Sequence, residues 1–340
     1  MLGIVLVSYN TTRLTLECLA SIAAATGAGA LRVELIDNST DPAERAALHD
    51  GSARCALPVH LTATDRNVGF AAACNLGIAD LLADPAVDRV LLLNNDAVLL
   101  PGALAAWLAF ADGHPEAGLF GARMHRRDVP DAVDSLGITL YASALASNRQ
   151  TLADPLLGPT GGLALYSRKL LETLRDAHGT VFDERFFCYA EDTDVALRAL
   201  LLGFQPAFFD ACVALHEGQA SSGGAFNDFV LYHGIRNSIW TIVKDLPASI
   251  AVPLSPLIVA LHAGIVVRHG LRGKAGVVWR LYRDAFAGWP AMWRSRRRIQ
   301  CERRVPARTL WRCISPRFYE RDYLRTALRD LFTGARHRSG

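Results

Sequence analysis

Residues 89–98 read RVLLLNNDAV, an apolar run that ends abruptly in two asparagines and an aspartate. This pattern predicts a buried strand at Arg89–Leu93 with polar residues just beyond its carboxyl end. Three earlier segments repeat the pattern and are likewise predicted to be strands that end in polar residues. They are Ile4–Val7, Leu31–Ile36 and Val59–Ala63.

Helical stretches separate these strands, which predicts a parallel sheet. Thr11 or Thr12 can cap a helix that ends near Ala25, and Ala71–Leu82 is a second predicted helix. Alternating strands and helices form parallel sheets with right-handed crossovers. Ligands of such sheets bind beyond the carboxyl ends of the strands. We therefore expect the polar residues at these strand ends to share one site.

The later part of this α/β pattern is less regular. Leu163–Tyr166 is predicted to be a strand, and Arg168–Leu174 and Val195–Leu202 are predicted to be helices. Residues 104–150 show no clear period. The first ten residues lack the basic flank of a signal peptide, and we expect a buried strand there.

The composition indicates a folded protein with an acidic body and a basic tail. The chain has 340 residues, of which 51% are hydrophobic and 20% charged, unlike a disordered chain. Residues 1–267 carry 17 basic and 28 acidic side chains, whereas residues 268–340 carry 19 and 5. The seven cysteines never have C-x-x-C spacing. We expect reduced thiols in a cytosolic protein rather than a disulfide framework or a zinc site.

Residues 246–267 read LPASIAVPLSPLIVALHAGIVV and are nearly uncharged. Three prolines, at positions 247, 253 and 256, interrupt the first half and leave about eleven strongly apolar residues before Arg268. That length predicts a buried or interfacial helix rather than a membrane span. We therefore divide the chain into a domain of residues 1–245 and a helical, apolar-then-basic extension of residues 246–340.

Several common catalytic motifs are absent from the sequence. It contains no G-x-G-x-x-G, no P-loop and no G-x-S-x-G, which disfavours dehydrogenases, NTPases and serine hydrolases. Asp96 follows a strand, where a carboxylate can hold a hard divalent cation that binds a diphosphate. An ordinary Asn/Asp turn is the alternative interpretation.

A second carboxylate group lies at residues 191–194, EDTD. Mutual repulsion and partial burial can raise the pKa of one carboxyl toward that of a general base. The alternative is an acidic helix N-terminus, which the helix dipole favours. His216 ends another apolar run and is either structural or a ligand of an oxygen-rich cation site.

Nine short motifs occur in a fixed order along the chain. They are VLVSYN (5–10), IDNS (36–39), NVGFAAACN (67–75), LLNNDAV (92–98), GGLAL (161–165), FDERFF (182–187), EDTDVALR (191–198), GF (203–204) and YHGIRN (232–237). Together they resemble the inverting GT-A-fold family 2 glycosyltransferases, particularly the rhamnosyltransferase-like branch. The resemblance covers about residues 1–245.

This resemblance implies a GT-A fold, with a Rossmann-like, mostly parallel central sheet, and a dTDP- or UDP-linked sugar as donor. Ser8 and Tyr9 lie where the family's first strand meets the nucleobase. Asp37 matches the residue that contacts the base or ribose, and Arg66 lies near the nucleoside and phosphates. The backbone at Gly161 and Gly162 can approach the sugar closely, although an ordinary loop is the alternative.

The resemblance also implies Mg²⁺ or Mn²⁺ as cofactor and displacement with inversion at the anomeric carbon. Asp96 matches the last carboxylate of the metal motif, and Asn94 stands where the family often has aspartate. A neutral Asn94 coordinates more weakly, so Asp96 is expected to do most of the binding. His216 resembles the histidine that completes the metal site in some members. Asp192 matches the general base.

The expected reaction is sugar transfer, with rhamnose suggested by the branch, to a glycan or lipid-linked acceptor in cell-surface polysaccharide synthesis. The apolar and basic extension predicts peripheral contact with the inner face of the cell membrane. A core helix followed by a solvated basic helix, or a homo-oligomer formed through the apolar face, are the alternatives. The competing functions are a basic-tailed nucleic-acid-binding protein and an inactive membrane scaffold. The acidic body contains no nucleic-acid module, and both Asp96 and Asp192 are retained, so we expect neither.

Overall fold

The computed structural model describes residues 1–25, 30–218 and 227–320. Its strands are β1 (Leu2–Ser8), β2 (Leu31–Asp37), β3 (Val59–Ala63), β4 (Arg89–Leu93), β5 (Ala97–Leu99), β6 (Ala117–Arg126), β7 (Val133–Ser135), β8 (Ile138–Tyr141), β9 (Ala146–Asn148), β10 (Leu163–Ser167), β11 (Gln205–His216) and β12 (Ile314–Ser315). Its helices are α1 (Thr12–Ala25), α2 (Pro42–Ala53), α3 (Phe70–Ala83), α4 (Ala103–Asp112), α5 (Arg168–His178), α6 (Glu191–Leu201), α7 (Asp228–Asp245), α8 (Ala248–Leu271), α9 (Ala275–Cys301) and α10 (Arg308–Trp311), with a 3₁₀ turn at Glu184–Phe186.

The main sheet has the order β3-β2-β1-β4-β10-β6-β11-β5, and β7 pairs with β6. Strands β1 to β4 are parallel to their neighbours in this set, whereas β10 and β5 run antiparallel to theirs. A small second sheet has the order β12-β8-β9. The predicted mixed α/β fold with a mostly parallel central sheet is confirmed, and β3 and β4 have the predicted bounds.

Residues 104–150 show no regular hydrophobic pattern, yet this region contains α4 and the strands β6 to β9. The ten-residue β6 has two glycines and no β-branched residue, so it lacks the usual signal of a strand. Its glycines allow close packing, since a Cβ at Gly118 would lie 2.6 Å from the Phe204 ring. Pairing with β10 and β11 on its two sides holds β6 in the sheet.

The apolar segment forms one 24-residue helix, α8, although we expected the prolines to shorten it. Pro256 cannot donate to the carbonyl of Val252, but the Ser255 hydroxyl donates to that oxygen at 2.7 Å. The acceptor is therefore satisfied and the helix continues. By length and composition α8 could cross a membrane, with a mean hydropathy of 2.2 in its most apolar window. Only 22% of that window is buried inside the protein.

The extension packs on the body of the protein. Leu246, Ile250 and Leu254 belong to the same buried cluster as side chains of β4 and α6, and Ile299 of α9 joins them. Helices α7 and α9 lie against each other, with the Trp240 indole donating to the Ala285 carbonyl at 3.0 Å. The division of the chain after residue 245 stays a prediction.

Candidate active site

The parallel strands bring two of the predicted donor residues to one edge of the sheet. Asp37 ends β2, and its buried carboxylate accepts a hydrogen bond from the Ser39 amide at 3.0 Å. The side chain of Asn38 organises the next loop, accepting from the Val68 amide at 2.9 Å. Arg66 lies in that loop with an exposed side chain. Its guanidinium is therefore accessible at the same edge as Asp37.

The first strand ends in two residues with different surroundings. The Ser8 hydroxyl is fully buried and shares a 2.9 Å hydrogen bond with the Thr15 hydroxyl of α1. Thr15 also accepts from the Asn95 amide at 2.8 Å. Ser8 and Asn95 thus fasten α1 to the sheet. Tyr9, the next residue, is half-buried and is therefore more accessible at this strand end than the Ser8 hydroxyl.

A cluster around His216 forms where β11 pairs with β5. Antiparallel pairing sets His216 opposite Ala97, which brings its ring beside Asp96. Nε2 of His216 lies 3.0 Å from Oδ1 of Asp96 and 3.2 Å from the Asn94 amide. Nδ1 lies 3.0 Å from a carboxylate oxygen of Asp134, a residue the sequence did not single out. Burial lowers the pKa of His216, but the carboxylates of Asp134 and Asp96 outweigh it and raise the pKa to about 10.

This cluster fits a divalent cation. Oδ1 of Asp96 is buried and, among the described residues, accepts no well-directed hydrogen bond despite the nearby His216 ring. A bound cation would give this oxygen a well-directed partner in place of the ion pair with His216. A carboxylate, an amide and, once a bound cation has displaced the Nε2 proton, the His216 imidazole form a donor set that Mg²⁺ or Mn²⁺ accepts. The Asp134 carboxylate fixes the ring from behind, as outer carboxylates do at metal-bound histidines.

The Gly161–Gly162 turn connects this cluster with the acidic motif. The Gly162 carbonyl accepts a hydrogen bond from the backbone N–H of Asn94 at 2.9 Å. The backbone N–H of Gly161 donates to Oδ2 of Asp192 at 3.0 Å. A Cβ at Gly162 would lie 3.0 Å from the Asn94 side chain, which leaves little room for any other residue. The turn therefore places Asn94 and Asp192 on either side of one short segment.

The three carboxylates of the acidic motif have separate surroundings. Asp194 is fully buried and paired with Arg198 at 2.7 Å and Lys244 at 2.5 Å, so its role is structural. Burial, followed by the charge of Asp192, raises the pKa of Glu191 to about 8. Burial also raises the pKa of Asp192, although hydrogen bonds from Gly161 and Thr193 oppose the shift.

The segment before the acidic motif has a strained backbone that α7 holds in place. Three residues of segment 187–190 have positive φ angles, of 64°, 71° and 63°. None of them is glycine, so this conformation carries a cost. The buried Asn237 amide donates to three carbonyls of residues 186–189 at 2.7 to 2.9 Å. The YHGIRN motif that contains Asn237 was noticed in the sequence, but the residue's partners were not predicted.

A cavity of about 390 Å³ opens beside Asp192. It lies between residues 144–148, residues 189–193, α7 and the last turns of α8. Glu191 and Asp192 are on one wall, and Arg268 and His269 are on another.

The family model of Glycosyl transferase family 2 matches residues 3–175. The chain is a family 2 glycosyltransferase. The predicted family and enzyme class are thereby confirmed. The match covers the strand ends with Asp37, Asn94 and Asp96 and the Gly161–Gly162 turn.

This glycosyltransferase is 30% identical over 249 residues to the N-acetylglucosaminyl-diphospho-decaprenol L-rhamnosyltransferase of Mycobacterium tuberculosis. The match covers 66% of this chain and 78% of that protein.

Solved structures confirm the GT-A fold. The mannosyltransferase PcManGT of Pyrobaculum calidifontis, in complex with GDP-Man and Mn²⁺, matches with a TM-score of 0.54 at 17% identity over 88% of this chain and 85% of its own. Residues 1–349 of S. aureus TarS, in complex with UDP-GlcNAc, match with a TM-score of 0.56 at 16% identity, with 88% of each chain covered. The chain spans 43% of a longer TarS structure.

Proposed function

We propose that this glycosyltransferase moves a sugar, rhamnose first among the candidates, from a dTDP- or UDP-linked donor to a hydroxyl of a lipid-linked glycan, with inversion. The name of the mycobacterial relative supports rhamnose and a diphospho-polyprenol acceptor. The observation that best supports this function is the Gly161–Gly162 turn. It is hydrogen-bonded to Asn94 of the cation cluster on one side and to Asp192 on the other.

The donor would lie along the sheet edge. Tyr9, Asp37 and Arg66 are placed to contact its nucleoside and phosphates. Asp96 and His216, with Asn94, would hold Mg²⁺ or Mn²⁺. The cation neutralises charge on the diphosphate leaving group when bound.

Asp192 is the proposed general base. Its carboxylate accepts the proton of the acceptor hydroxyl while the hydroxyl oxygen attacks the anomeric carbon. The bond from that carbon to the diphosphate oxygen breaks, and the nucleoside diphosphate leaves with the bonding electrons. Attack from the face opposite the leaving group inverts the configuration. Gly161 and Thr193 orient the carboxylate through the hydrogen bonds described above.

The extension is the proposed membrane contact, at the cytoplasmic face of the cell membrane. Helix α8 is apolar on all sides but buries only four side chains, and Val252 and Val259 are 67% and 66% exposed. On α9, Trp279, Phe286 and Trp293 recur every seven residues and are exposed. Exposed arginines alternate with them along α9. Apolar surface, tryptophan and arginine together favour an anionic lipid interface.

A donor screen tests this function. The full chain is incubated with dTDP-rhamnose and a panel of UDP- and GDP-linked sugars, with Mn²⁺, Mg²⁺ or EDTA, and nucleoside diphosphate release is measured with and without a lipid-linked acceptor. We expect one donor class to support cation-dependent, acceptor-stimulated release, and the anomeric configuration of the product to be inverted by NMR. No release from any donor, or a product with retained configuration, would contradict the proposal.

A further inference from the structure

A second cavity, of about 590 Å³, is formed by the end of α5, the segment that follows it, and parts of α6, α7 and α9. Its volume is within the range of small-molecule sites. The lining is rich in charge, with two acidic and five basic side chains. The basic ones are Arg185, Arg198, Lys244, Arg294 and Arg298. Such a lining favours a charged ligand over an apolar one.

Three of these basic side chains already pair with buried carboxylates. Asp194 lies 2.7 Å from Arg198 and 2.5 Å from Lys244. Asp183 lies 2.7 Å from Lys244 and 2.5 Å from Arg185. A cation in this cavity would have to compete with the basic side chains that hold both carboxylates. The ligand charge is therefore decided by the side chains outside this network.

Arg294 and Arg298 give the second cavity an excess of positive charge. Both lie on α9, are exposed, and have no carboxylate partner in the part of the chain that the structure describes. Nη2 of Arg298 donates to the Asp176 carbonyl at 3.3 Å, which uses only one N–H group of the guanidinium. One exposed carboxylate, that of Glu184, opposes the two arginines, and it accepts from the Asn75 amide at 3.0 Å. The remaining charge favours an anion.

Two uncharged side chains of the same cavity add hydrogen-bond donors. Burial, followed by the charge of Arg198, lowers the pKa of His178 to about 3, so the ring is neutral at neutral pH. The Arg198 guanidinium lies 3.4 Å from Nδ1, which accepts, and the ring proton is therefore on Nε2. This Nε2 is buried and has no hydrogen-bond partner among the described residues, a cost that a ligand oxygen would remove. The Ser295 hydroxyl accepts from Arg185 at 2.8 Å and keeps its own proton to donate.

We propose that the second cavity binds a phosphate group, with Arg294 and Arg298 supplying charge and His178 and Ser295 supplying further donors. Guanidinium groups bind phosphate through paired hydrogen bonds, and a phosphate has more acceptor oxygens for these four groups than a carboxylate has. Two sources can supply it: a free phosphorylated molecule, or a lipid headgroup, because α9 belongs to the proposed membrane contact. The site requires neither the donor residues nor the base of the proposed function.

Calorimetric titration of the full chain with inorganic pyrophosphate, in EDTA to remove cations, tests the site for a free ligand. Arg294→Gln combined with Arg298→Gln should weaken binding by about 10- to 100-fold, the usual worth of charge-assisted hydrogen bonds. His178→Phe removes an uncharged donor and should weaken binding by about 5-fold. The control combines Arg297→Gln with Arg303→Gln, which removes two exposed charges of the same region outside the cavity and should leave the affinity unchanged. Both arginine pairs are exposed, so these variants should fold even if His178→Phe does not.

Sedimentation with phosphatidylcholine vesicles that contain phosphatidic acid tests the lipid source with the same variants. Loss of pyrophosphate binding in the cavity variant alone supports a free phosphate ligand. If pyrophosphate does not bind, but the cavity variant sediments less than the control variant, the ligand is a lipid headgroup. Equal losses in the cavity and control variants would overturn the proposal, because the basic charge of α9 as a whole would then bind the anion. Absence of binding to both ligands, or unchanged binding in the cavity variant, would also overturn it.

Discussion

Asp134 and Asp96 contact opposite sides of the His216 ring. A change at Asp134 should therefore alter the affinity for the cation. Asp134→Asn keeps the size of the side chain but replaces the charged partner of His216 Nδ1 by a neutral one, which weakens that hydrogen bond. Loss of a carboxylate that orients a metal-bound histidine lowers the metal affinity by about 10- to 100-fold. We expect Asp134→Asn to raise the Mn²⁺ concentration for half-maximal activity by that factor, with kcat at saturating Mn²⁺ largely kept.

Two further variants serve as the inactive and the unchanged control for this measurement. Asp96→Ala removes the central carboxylate and should abolish transfer at any Mn²⁺ concentration. Asp131→Asn changes an exposed carboxylate in the segment before β7 and should behave as wild type. Equal Mn²⁺ requirements in Asp134→Asn and wild type would remove Asp134 from the cation site.

The acidic motif gives a pH-dependent prediction. A pKa of about 8 means that Glu191 is mainly protonated at pH 7, so Glu191→Gln should keep most of the activity. Asp192→Asn cannot accept a proton and should lower kcat by about 10²- to 10⁴-fold. Because the pKa of Asp192 is raised, wild-type activity should fall with decreasing pH at a midpoint above that of an ordinary aspartate. A dead Glu191→Gln with an active Asp192→Asn would exchange their roles.

The same carboxyl affects stability with a definite sign. The folded-state pKa of Glu191 is raised above its unfolded value, so its contribution is complete below pH 4.5 and is lost as pH rises to about 8. Glu191→Gln removes this titration. Between pH 5 and pH 8, the free energy of unfolding of wild type should therefore decrease relative to that of the variant. Parallel urea titrations of both proteins at the two pH values measure this difference.

The sequence singled out Asp96 and Asp192 from their motifs and His216 from the end of an apolar run, and the structure places Asp96 and His216 side by side, while the roles of all three stay predictions. The sequence could not predict Asp134, which reaches His216 across 82 residues of sequence through the pairing of β7 with β6. The burial of Ser8 was also not evident, because a hydroxyl at a strand end gives no indication of its direction. Which of these residues bind the donor stays a prediction.

At the scale of elements, α7 controls the segment that carries Asp192. Asn237→Ala would remove the amide donor from three carbonyls of residues 186–189 and loosen the strained backbone, although the Phe186 carbonyl would still accept from Nη2 of Arg236. A misplaced base can cost about 10²-fold, so kcat should fall by this order while the affinity for nucleotide is kept. Stopped-flow or steady-state kinetics with a nucleotide-binding control separate the two effects. A proportional loss of nucleotide binding would instead indicate general unfolding.

Elements with a strong local signal were predictable, and elements held by their neighbours were not. The apolar runs of β3 and β4 set their bounds without help from the rest of the chain. Strand β6, rich in glycine, is defined by β10 and β11 on either side. The two prolines of α8 indicated a break, but the Ser255 hydroxyl restores the lost hydrogen bond. Such local compensation depends on side-chain geometry that the sequence pattern does not contain.

At the scale of the whole molecule, charge is unequally distributed, with an acidic body and a basic tail. The apolar sides of α8 and the exposed Trp279, Phe286 and Trp293 of α9 all lie in the extension. Attraction of about 1 kcal/mol per basic residue near an anionic surface would orient the molecule with this side toward the lipid. A peripheral position agrees with the packing, because Ile250 and Leu254 of α8 belong to the same core as the sheet. Crossing the membrane would pull both side chains out of that core.

This orientation should make the protein bind anionic membranes. The full chain should sediment with anionic vesicles of phosphatidylglycerol, less with neutral phosphatidylcholine vesicles, and should be released at high salt because exposed charges are screened. Val252→Asp with Val259→Asp places two charges on exposed positions of α8 and should abolish sedimentation without unfolding the protein. Leu152→Asp, at a site 46% exposed outside the extension, is the matched control and should sediment as wild type. If wild type stays in the supernatant and forms a dimer that the α8 double variant dissociates, a second copy covers this face and the membrane does not. If high salt leaves the protein on the vesicles, α8 is inserted more deeply than a peripheral helix.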